Sequence, residues 1–280
     1  MDEKIVIMLI FIGFGVAEII AGRFLNKDVA TSRDWMMEVI STSIIMAVTI
    51  PAILFAVDWM GHHWFADYAG VLSTLPIWMM LALFLVGDDM TQYWWHRLSH
   101  SVPFLYNLHR AHHSAPYMSI RIVYRNNIFY YALMPGLWIS AALVFLGLEA
   151  VYPWYLIVKL SVIFGAHSSV RWDEWLYKIP ALDKVMWVVE RTISTPATHS
   201  AHHGLHKEDG VTNYKGNYGN LLFFWDVLFG TAHITRRYPK EYGIEGLPDV
   251  SWQQELMWPV VGAGNGVKSE APAISSPQEA

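Results

Sequence analysis

Five apolar stretches constrain what this chain of 280 residues can fold into. They are residues 5–21, 39–57, 69–86, 128–148 and 151–166. A helix needs about 20 mostly apolar residues to cross the hydrocarbon core of a bilayer, and the last stretch, which carries Lys159, is the weakest candidate. The pattern predicts an all-α polytopic membrane protein with four to five transmembrane helices, in which 151–166 either spans the membrane or is re-entrant.

The composition excludes several classes of protein. Hydrophobic residues make up 54% of the chain and charged residues only 15%, against roughly 25% charged in ordinary globular proteins. The net charge of −5 argues against nucleic-acid binding, which needs a basic surface. No cysteine occurs, which excludes disulfides, thiolate metal sites, an Fe–S cluster held by this chain and a cysteine nucleophile.

The distribution of Lys and Arg predicts which side of the membrane each connection faces. The connections 22–35 and 87–127 and the segment after residue 167 carry Lys or Arg, whereas 58–68 and 149–150 carry none. We therefore expect the short N-terminus outside and the segments 87–127 and 167–280 on the cytosolic face. The first stretch lacks a basic flank and a cleavage pattern, so we expect it to be a retained helix.

Most of the thirteen histidines fall in groups on this predicted cytosolic side. The groups are His96-x-x-x-His100, His109-x-x-His112-His113, the single His167, and His199-x-x-His202-His203 followed by His206. Residues three and four apart lie on one face of a helix, so each box presents two or three imidazoles side by side. A solvated histidine-rich surface would not need to keep its histidines in helical phase.

This spacing favours a metal site. Neutral imidazole is the commonest protein metal ligand and suits Fe, Zn, Cu and Ni. A single HxxxH pair most often binds nothing, but three boxes in phase are hard to explain otherwise, and their imidazoles exceed the four ligands of a tetrahedral ion. The simplest arrangement is a dimetal site. His62, His63 and His233 lie outside the boxes and are interpreted as interfacial or surface residues.

Two carboxylates are candidates for orienting the ligands, because a metal-bound histidine usually donates its other ring N–H to a carboxylate or carbonyl. Asp89 lies two helical turns before His96, and Asp226 lies in the sequence Trp-Asp-Val-Leu-Phe-Gly-Thr at 225–231. The alternative interpretations are a membrane-boundary residue for Asp89 and a helix cap for Asp226.

In this order, the boxes resemble those of the fatty acid hydroxylase (sterol desaturase) superfamily of membrane di-iron oxygenases. The matching segments are Asp89, Tyr93-Trp-Trp-His-Arg97, His100, His109-Arg-Ala-His-His-Ser114, Gly165-Ala-His-Ser168, Thr195-Pro-Ala-Thr-His-Ser-Ala-His-His-Gly204, Gly216-Asn-Tyr-Gly219 and Trp225-Asp-Val-Leu-Phe-Gly-Thr231. They cover residues 85–232. The position four residues after His167, a histidine in some members, is Arg171 here, and 115–127 lacks the pattern of sterol-active members.

The resemblance implies transmembrane helices that carry a cytosolic helical cap, in which histidines hold two iron ions. The implied ligands are His96, His100, His109, His112, His113, His167, His199, His202 and His203, with His206 as a candidate tenth. The chain then divides into N-terminal transmembrane helices (1–86), a catalytic domain (87–232) that includes the membrane segments 128–166, and a C-terminal extension (233–280) that is disordered towards its end.

The implied activity is O2-dependent hydroxylation or desaturation of an unactivated C–H bond in a lipid, for which we favour an acyl chain. A sterol or isoprenoid substrate is the alternative within the superfamily. A zinc-dependent hydrolase or a non-catalytic metal-binding protein is the alternative outside it, although no HExxH pair occurs.

Hydroxylation and desaturation both consume two electrons. The chain has neither cysteine nor a GxGxxG nucleotide loop, so we expect a separate donor of ferredoxin or cytochrome type with its reductase. The basic segments 171–184 and 236–240 are candidates for docking it. Because the chain is small and has no fused electron-transfer domain, we expect a bacterial inner membrane rather than the endoplasmic reticulum.

Overall fold

The fold is known from a computed structural model, which describes residues 2–247 and 250–262. Within these ranges the secondary structure is helical and no strand forms, apart from a single β-bridge between Gly204 and Tyr242. The all-α prediction is therefore confirmed. The predicted disorder at the end of the C-terminal extension concerns residues outside the described ranges.

Short and long helices follow one another along the described chain. The α-helices are α1 Glu3–Ile20, α2 Ser32–Ile44, α3 Ile50–Trp64, α4 Ile77–Phe84, α5 Thr91–Ser99, α6 Pro103–His113, α7 Ile128–Ala132, α8 Pro135–Leu143, α9 Tyr152–His167, α10 Trp172–Leu176, α11 Asp183–Thr192, α12 Pro196–His202, α13 Phe224–Leu228 and α14 Trp252–Met257. Three π-helical turns, Ile45–Thr49, Leu85–Met90 and Val144–Leu148, each directly follow an α-helix in the apolar part of the chain.

Two helices are long and apolar enough to cross a membrane. Ser32–Trp64 has 33 residues and joins α2 and α3 through the first π turn without a break. Ile128–Leu148 has 21 residues and bends at Leu133 and Met134, because Pro135 has no N–H to continue the hydrogen-bond ladder. These helices contain the predicted stretches 39–57 and 128–148.

The other three predicted stretches form shorter or more polar helices. α1 has 18 residues and includes Glu3, Lys4 and Glu18, and α9 has 16 residues and contains Lys159. The stretch 69–86 becomes α-helical only from Ile77 onwards. Membrane crossing by these three segments, and with it the total of four to five transmembrane helices, stays a prediction.

Large apolar side chains cover the outer faces of these helices. Ile20 of α1 is 81% exposed, Phe55 of α3 is 71% exposed, and Trp78 of α4 and Trp154 of α9 are each 70% exposed. Soluble monomers rarely expose contiguous apolar patches of more than a few hundred Å². The exposed faces therefore support the membrane character of the chain, because lipid is the solvent that such a surface favours.

One continuous helical run connects the apolar part of the chain to the first histidine box. α4, the π turn Leu85–Met90 and α5 follow each other without interruption, so His96 lies roughly 28 Å along the axis from Ile77 at about 1.5 Å per residue. Within the π turn, Asp88 accepts hydrogen bonds from Lys159 Nζ (2.7 Å) and Tyr155 OH (3.0 Å). These bonds attach the run to α9, which carries His167 at its end.

Glu18 of α1 is fully buried, and its carboxylate accepts four hydrogen bonds. The donors are Ser119 Oγ (2.7 Å), Ile120 N (2.9 Å), Ser168 Oγ (3.0 Å) and Ser169 N (2.9 Å). Two of these donors directly follow His167, and the other two lie in the connection after the second histidine box. The first helix is therefore attached to both segments through one carboxylate.

We expect Glu18→Gln to lower the free energy of unfolding by about 1–3 kcal/mol, because the hydrogen bonds to a charged carboxylate become weaker bonds to a neutral amide, and an NH2 group replaces the oxygen that accepts from Ser119. Thermal unfolding of the full-length protein in detergent measures the change. Glu149→Gln is the matched control, since Glu149 is exposed in the turn between α8 and α9. Equal unfolding temperatures for the two variants would contradict the role given to Glu18.

Candidate metal centre

The C-terminal ends of four helices converge on the histidine boxes. His100 caps α5, α6 ends at His113, α9 ends at His167, and His203 caps α12. The C-terminus of a helix carries roughly half a negative charge, and its effect is confined to the last turn. Because each box occupies such a last turn, the four helix ends together favour a cation between them.

Local sequence explains where the shortest of these helices begins. Pro196 occupies the first position of α12, where a missing N–H costs nothing. Thr195 and Thr198 form a capping box around it, and Asp173 accepts a further bond from Ala197 N (2.8 Å). These bonds satisfy the first N–H groups of α12, so a helix of only 7 residues holds its histidines in place.

The nine predicted histidines form two groups of buried imidazoles. Group A contains His96, His100, His109, His113 and His202, and group B contains His112, His167, His199 and His203. Within each group the potential ligand nitrogens lie within 4.8 Å of one another. None of the nine side chains is more than 7% exposed.

The two HxxHH boxes divide their rings between the groups in opposite ways. On α6, the i and i+4 residues His109 and His113 belong to group A, and the residue between them, His112, belongs to group B. On α12, the i and i+4 residues His199 and His203 belong to group B, and the residue between them, His202, belongs to group A. Each of these helices therefore contributes to both groups, and the rings of His113 and His203 stack between them with centroids 4.3 Å apart.

Five of the nine rings are oriented by a hydrogen bond from Nδ1 to an oxygen of the protein. These bonds are His96 to Tyr218 O (2.7 Å), His109 to Asn126 Oδ1 (2.8 Å), His112 to Ile122 O (3.0 Å), His167 to Ile163 O (2.8 Å) and His202 to Gly216 O (2.7 Å). A carbonyl oxygen can only accept, so Nδ1 carries the hydrogen in each of these rings. In the neutral ring, Nε2 is then left with a lone pair.

These lone pairs face each other at short distance. The Nε2 atoms of His96 and His202 lie 2.9 Å apart, and those of His112 and His167 lie 3.4 Å apart. Burial lowers the pKa of His96 to about 4, and burial also lowers the pKa of His202 well below its usual value. At neutral pH these two rings are therefore uncharged, and no proton lies between their Nε2 atoms. A set of facing lone pairs fits a metal ion.

One further nitrogen atom points to the same conclusion. His100 Nε2 in group A is buried and has no hydrogen-bond partner among the described residues. An unpaired buried polar atom costs about 1–3 kcal/mol. Coordination of an ion by His100 Nε2 would remove this cost in group A.

The orienting oxygen atoms were not predicted from the sequence. Gly216 and Tyr218 belong to one loop that accepts bonds from both His96 and His202. A Cβ at Gly216 would lie 2.3 Å from Thr231 O, so only glycine fits at this position. The motif Gly-Asn-Tyr-Gly at 216–219 was the available signal, but the role of its carbonyls depends on the fold.

Asp89 and Asp226 are both buried, but neither bonds to a histidine ring. Asp226 accepts hydrogen bonds from Tyr218 N (2.8 Å) and Gly219 N (2.6 Å). Asp89 accepts bonds from the N–H groups of residues 221 and 222 and from the indole of Trp225 (2.8 Å). Asp226 therefore holds the loop that orients the rings, and Asp89 holds the residues that follow this loop. The sequence had suggested that both accept from the rings.

The remaining histidines lie outside both groups. His206, the candidate tenth ligand, is half exposed and its Nε2 contacts Glu241 Oε2 at 2.8 Å, because the chain leaves α12 after His203 and carries His206 out of helical phase. His62 contacts the carbonyl of Asp58 in the last turn of α3, and His63 follows it there. The side chain of His233 is exposed.

A cavity of about 190 Å³ reaches group A. His100 and His113 form part of its wall, with Tyr106, Leu205 and Ile244 beside them. The charged residues that line it are Lys207 and Glu245. The cavity therefore offers an apolar space next to the imidazoles and polar groups with which a ligand could be oriented.

The comparison with protein families agrees with this geometry. The fatty acid hydroxylase family model matches residues 81–231, a range that contains all nine histidines of groups A and B. The chain belongs to the fatty acid hydroxylase family.

Relatives of the chain are named as lipid monooxygenases and hydroxylases. The chain is 26% identical over 231 residues to alkylglycerol monooxygenase of Danio rerio. This alignment covers 79% of this chain and 46% of that protein. It is 29% identical over 183 residues to the cholesterol 25-hydroxylase-like protein of Danio rerio, with 63% of each covered. It is 28% identical over 189 residues to methylsterol monooxygenase erg25B of Aspergillus fumigatus. This alignment covers 62% of this chain and 56% of that protein.

The chain thus spans less than two thirds of the length of each of these relatives. No solved structure matches it. The comparisons therefore establish the family, and the geometry of groups A and B carries the argument about the metal site.

We expect Asp226→Asn to weaken metal binding by about 10- to 100-fold, since residues that orient metal ligands have effects of this size. The amide would place an NH2 group against Tyr218 N or Gly219 N and displace the carbonyl that holds His96. Titration of the metal-free protein with Fe²⁺ measures the affinity.

Asp209→Asn is the matched control for this variant. Asp209 also accepts two backbone N–H groups, those of Val211 and Thr212 (2.7 Å each), but the carbonyls that orient His96 and His202 through Nδ1 belong to residues 218 and 216. Equal metal affinity in the two variants would contradict the role of Asp226.

Proposed function

We propose that this member of the fatty acid hydroxylase family is an O2-dependent lipid hydroxylase whose histidines bind two iron ions, one in group A and one in group B. The observation that carries the proposal is the pair of facing Nε2 atoms in each group, His96 with His202 and His112 with His167. The all-nitrogen donor set suits iron. When bound, two iron ions would supply the activation of O2 and the oxidation of an unactivated C–H bond.

In the proposed reaction, one atom of O2 enters the C–H bond to give an alcohol, and the other leaves as water. Two electrons and two protons are consumed. The names of the relatives, monooxygenase and hydroxylase, favour this reaction over desaturation. The part played by the protein is to orient the nine rings, to hold the substrate against group A and to exclude bulk water from a cage in which each ring is nearly completely buried.

The cavity beside His100 and His113 is the proposed position of the reacting carbon. Leu205, Ile244 and Tyr106 give it an apolar wall next to the imidazoles, which suits an acyl or alkyl chain. Lys207 and Glu245 provide polar partners for the head of the lipid. A sterol is the second candidate substrate, because the chain is similar to a methylsterol monooxygenase and to a cholesterol 25-hydroxylase-like protein.

In this proposal the cage lies at the cytosolic face of a membrane. Ser32–Trp64 and Ile128–Leu148 cross the bilayer, and α1, the helical residues 77–86 and α9 complete the bundle. The distribution of Lys and Arg supports this orientation, because the connections that carry the boxes also carry the positive charges.

Counting metal ions on the purified full-length protein tests the proposal. We expect about two iron ions per chain, and we expect His96→Ala in group A and His112→Ala in group B each to lower the bound iron and to abolish product formation. His62→Ala, on the exposed last turn of α3, is the control and should change neither. One zinc ion per chain would support a hydrolase instead, and a chain without metal would support a non-catalytic protein.

Lipid extracts of cells with and without the protein identify the substrate class. A gain of one oxygen atom in an acyl or alkyl lipid is the expected result. The same gain in a sterol would select the second candidate, and a loss of two hydrogen atoms would select desaturation. No change in any lipid class would contradict an oxygenase of either kind.

We expect Leu205→Trp to reduce kcat/KM for the identified lipid by about tenfold or more, because the indole would fill the cavity and an extra barrier of about 1.4 kcal/mol already gives tenfold. Leu205→Met is the control, since a swap that conserves volume is tolerated best. Iron content should match the wild type in both variants. A tryptophan variant with normal kcat/KM would place the substrate elsewhere.

The electrons would come from a separate donor of ferredoxin or cytochrome type. The fold brings the two predicted docking segments together, since the guanidinium of Arg171 lies 4.1 Å from the ring centroid of Tyr238. Arg236 is paired with Glu190 (2.8 Å), so its charge is largely compensated. The charges of Arg171 and Lys240 face a second cavity.

A further inference from the structure

A second cavity, of about 230 Å³, lies where α1 and α9 meet the cap. Three cationic side chains line it, Arg23, Arg171 and Lys240, and no residue of its wall is acidic. These residues come from three separate parts of the chain: after α1, after α9 and from the segment beyond α13. The fold has therefore collected like charges that repel each other, which favours an anionic ligand.

The three cations keep most of their positive charge available. Arg23 donates to the carbonyl of Ser169 (2.8 Å), which compensates no charge. Arg171 is 3.9 Å from Glu174, at the limit of an ion pair and partly exposed, and Lys240 is exposed. The buried carboxylate of Glu18 accepts hydrogen bonds from Ser168 and Ser169 of the wall, and it forms no ion pair within 4 Å with any of the three cations.

Hydroxyl groups complete the lining. Ser168, Ser169 and Ser200 belong to the wall. The hydroxyl of Ser168 donates to Glu18, whereas Ser169 Oγ is buried without a hydrogen-bond partner among the described residues. A buried hydroxyl without a partner costs free energy, so its position in a cationic cavity is a second sign that a ligand accepts a hydrogen bond there.

We propose that this cavity binds a phosphate group. A phosphate oxygen accepts from a serine hydroxyl such as that of Ser169, from the planar guanidinium of arginine and from the ammonium of lysine, which are the donors present here. The cavity is concave and small, which favours such a group over the surface of an acidic protein. Its place at the inner ends of α1 and α9 is within reach of a lipid head group, and a soluble phosphate compound has the same chemistry.

The site adjoins group B through the chain itself. Ser168 directly follows His167, and Ser200 directly follows His199, so a bound phosphate would contact the neighbours of two imidazoles. Its existence does not depend on the proposed oxygenase activity, because binding can be measured on protein that has no substrate or electron donor.

The test measures binding to the full-length protein in detergent micelles. The probes are dioleoyl phosphatidic acid, the uncharged dioleoylglycerol and inorganic phosphate, and bound lipid is counted by native mass spectrometry. We expect phosphatidic acid to bind at least about tenfold more tightly than dioleoylglycerol, and we expect Lys240→Gln and Arg171→Gln each to weaken it about tenfold. Lys184→Gln, exposed on α11 and outside the cavity, is the matched control and should bind as the wild type does.

The outcomes separate the sources of the phosphate. If inorganic phosphate raises the unfolding temperature of the wild type but not of Lys240→Gln, the ligand is a soluble phosphate compound; if only the phosphatidic acid binds, it is a lipid head group. Equal binding of the two lipids without a response to phosphate would overturn the proposal. Equal binding of phosphatidic acid by Lys240→Gln and Lys184→Gln would also overturn it. So would a cavity that binds an acidic electron donor but none of the phosphate probes.

Discussion

Facing nitrogen lone pairs are the interaction on which the rest of this structure depends. The Nε2 atoms of His96 and His202 lie 2.9 Å apart, and both rings have already given their Nδ1 hydrogen to a carbonyl. Two such atoms repel each other unless a cation lies between them, and four helix C-termini add a negative potential at the same place. Metal binding and folding are therefore coupled in the proposed holoprotein, because the cage is stable in this geometry only around positive charge.

The rest of the cap holds the rings in position from outside. The loop at 216–219 supplies two carbonyls, and the connection after α6 supplies Ile122 O and the amide of Asn126. Buried carboxylates hold these segments in turn. Asp226 binds the loop, Asp89 binds the residues that follow it, and Glu18 binds the connection from within a largely apolar helix. Each removes unpaired N–H groups from the interior, so each contributes to stability and to the orientation of the imidazoles.

The two cavities lie against different groups. One reaches His100 and His113 of group A and has an apolar wall, which suits the chain of a lipid. The other adjoins group B through Ser168 and Ser200 and is lined with positive charge. In the proposed protein, oxidation and phosphate binding therefore occur on different sides of one cage, and α6 and α12, which contribute rings to both groups, connect them.

Much of the site could be predicted from the sequence, because helical phase is a local property. Spacings of three and four residues bring the histidines of a box to one helix face, and all nine predicted rings are indeed brought together. His206 lies outside the groups because α12 ends at His202, so helical spacing no longer determines where its side chain points. The apolar stretches predicted an all-α fold for the same reason, although only two of them form helices that meet the length and apolarity of a membrane span.

The tertiary structure decided what depends on residues far apart in the chain. The division of each HxxHH box between two groups follows from the helices packed against it. Four of the five ring partners are backbone carbonyl oxygens, which every residue has and no sequence pattern marks. Asp226 was identified from its sequence, but its action through Tyr218 was not. The second cavity joins residues that are distant in the chain, so Arg23, Arg171 and Lys240 come together only once the chain has folded.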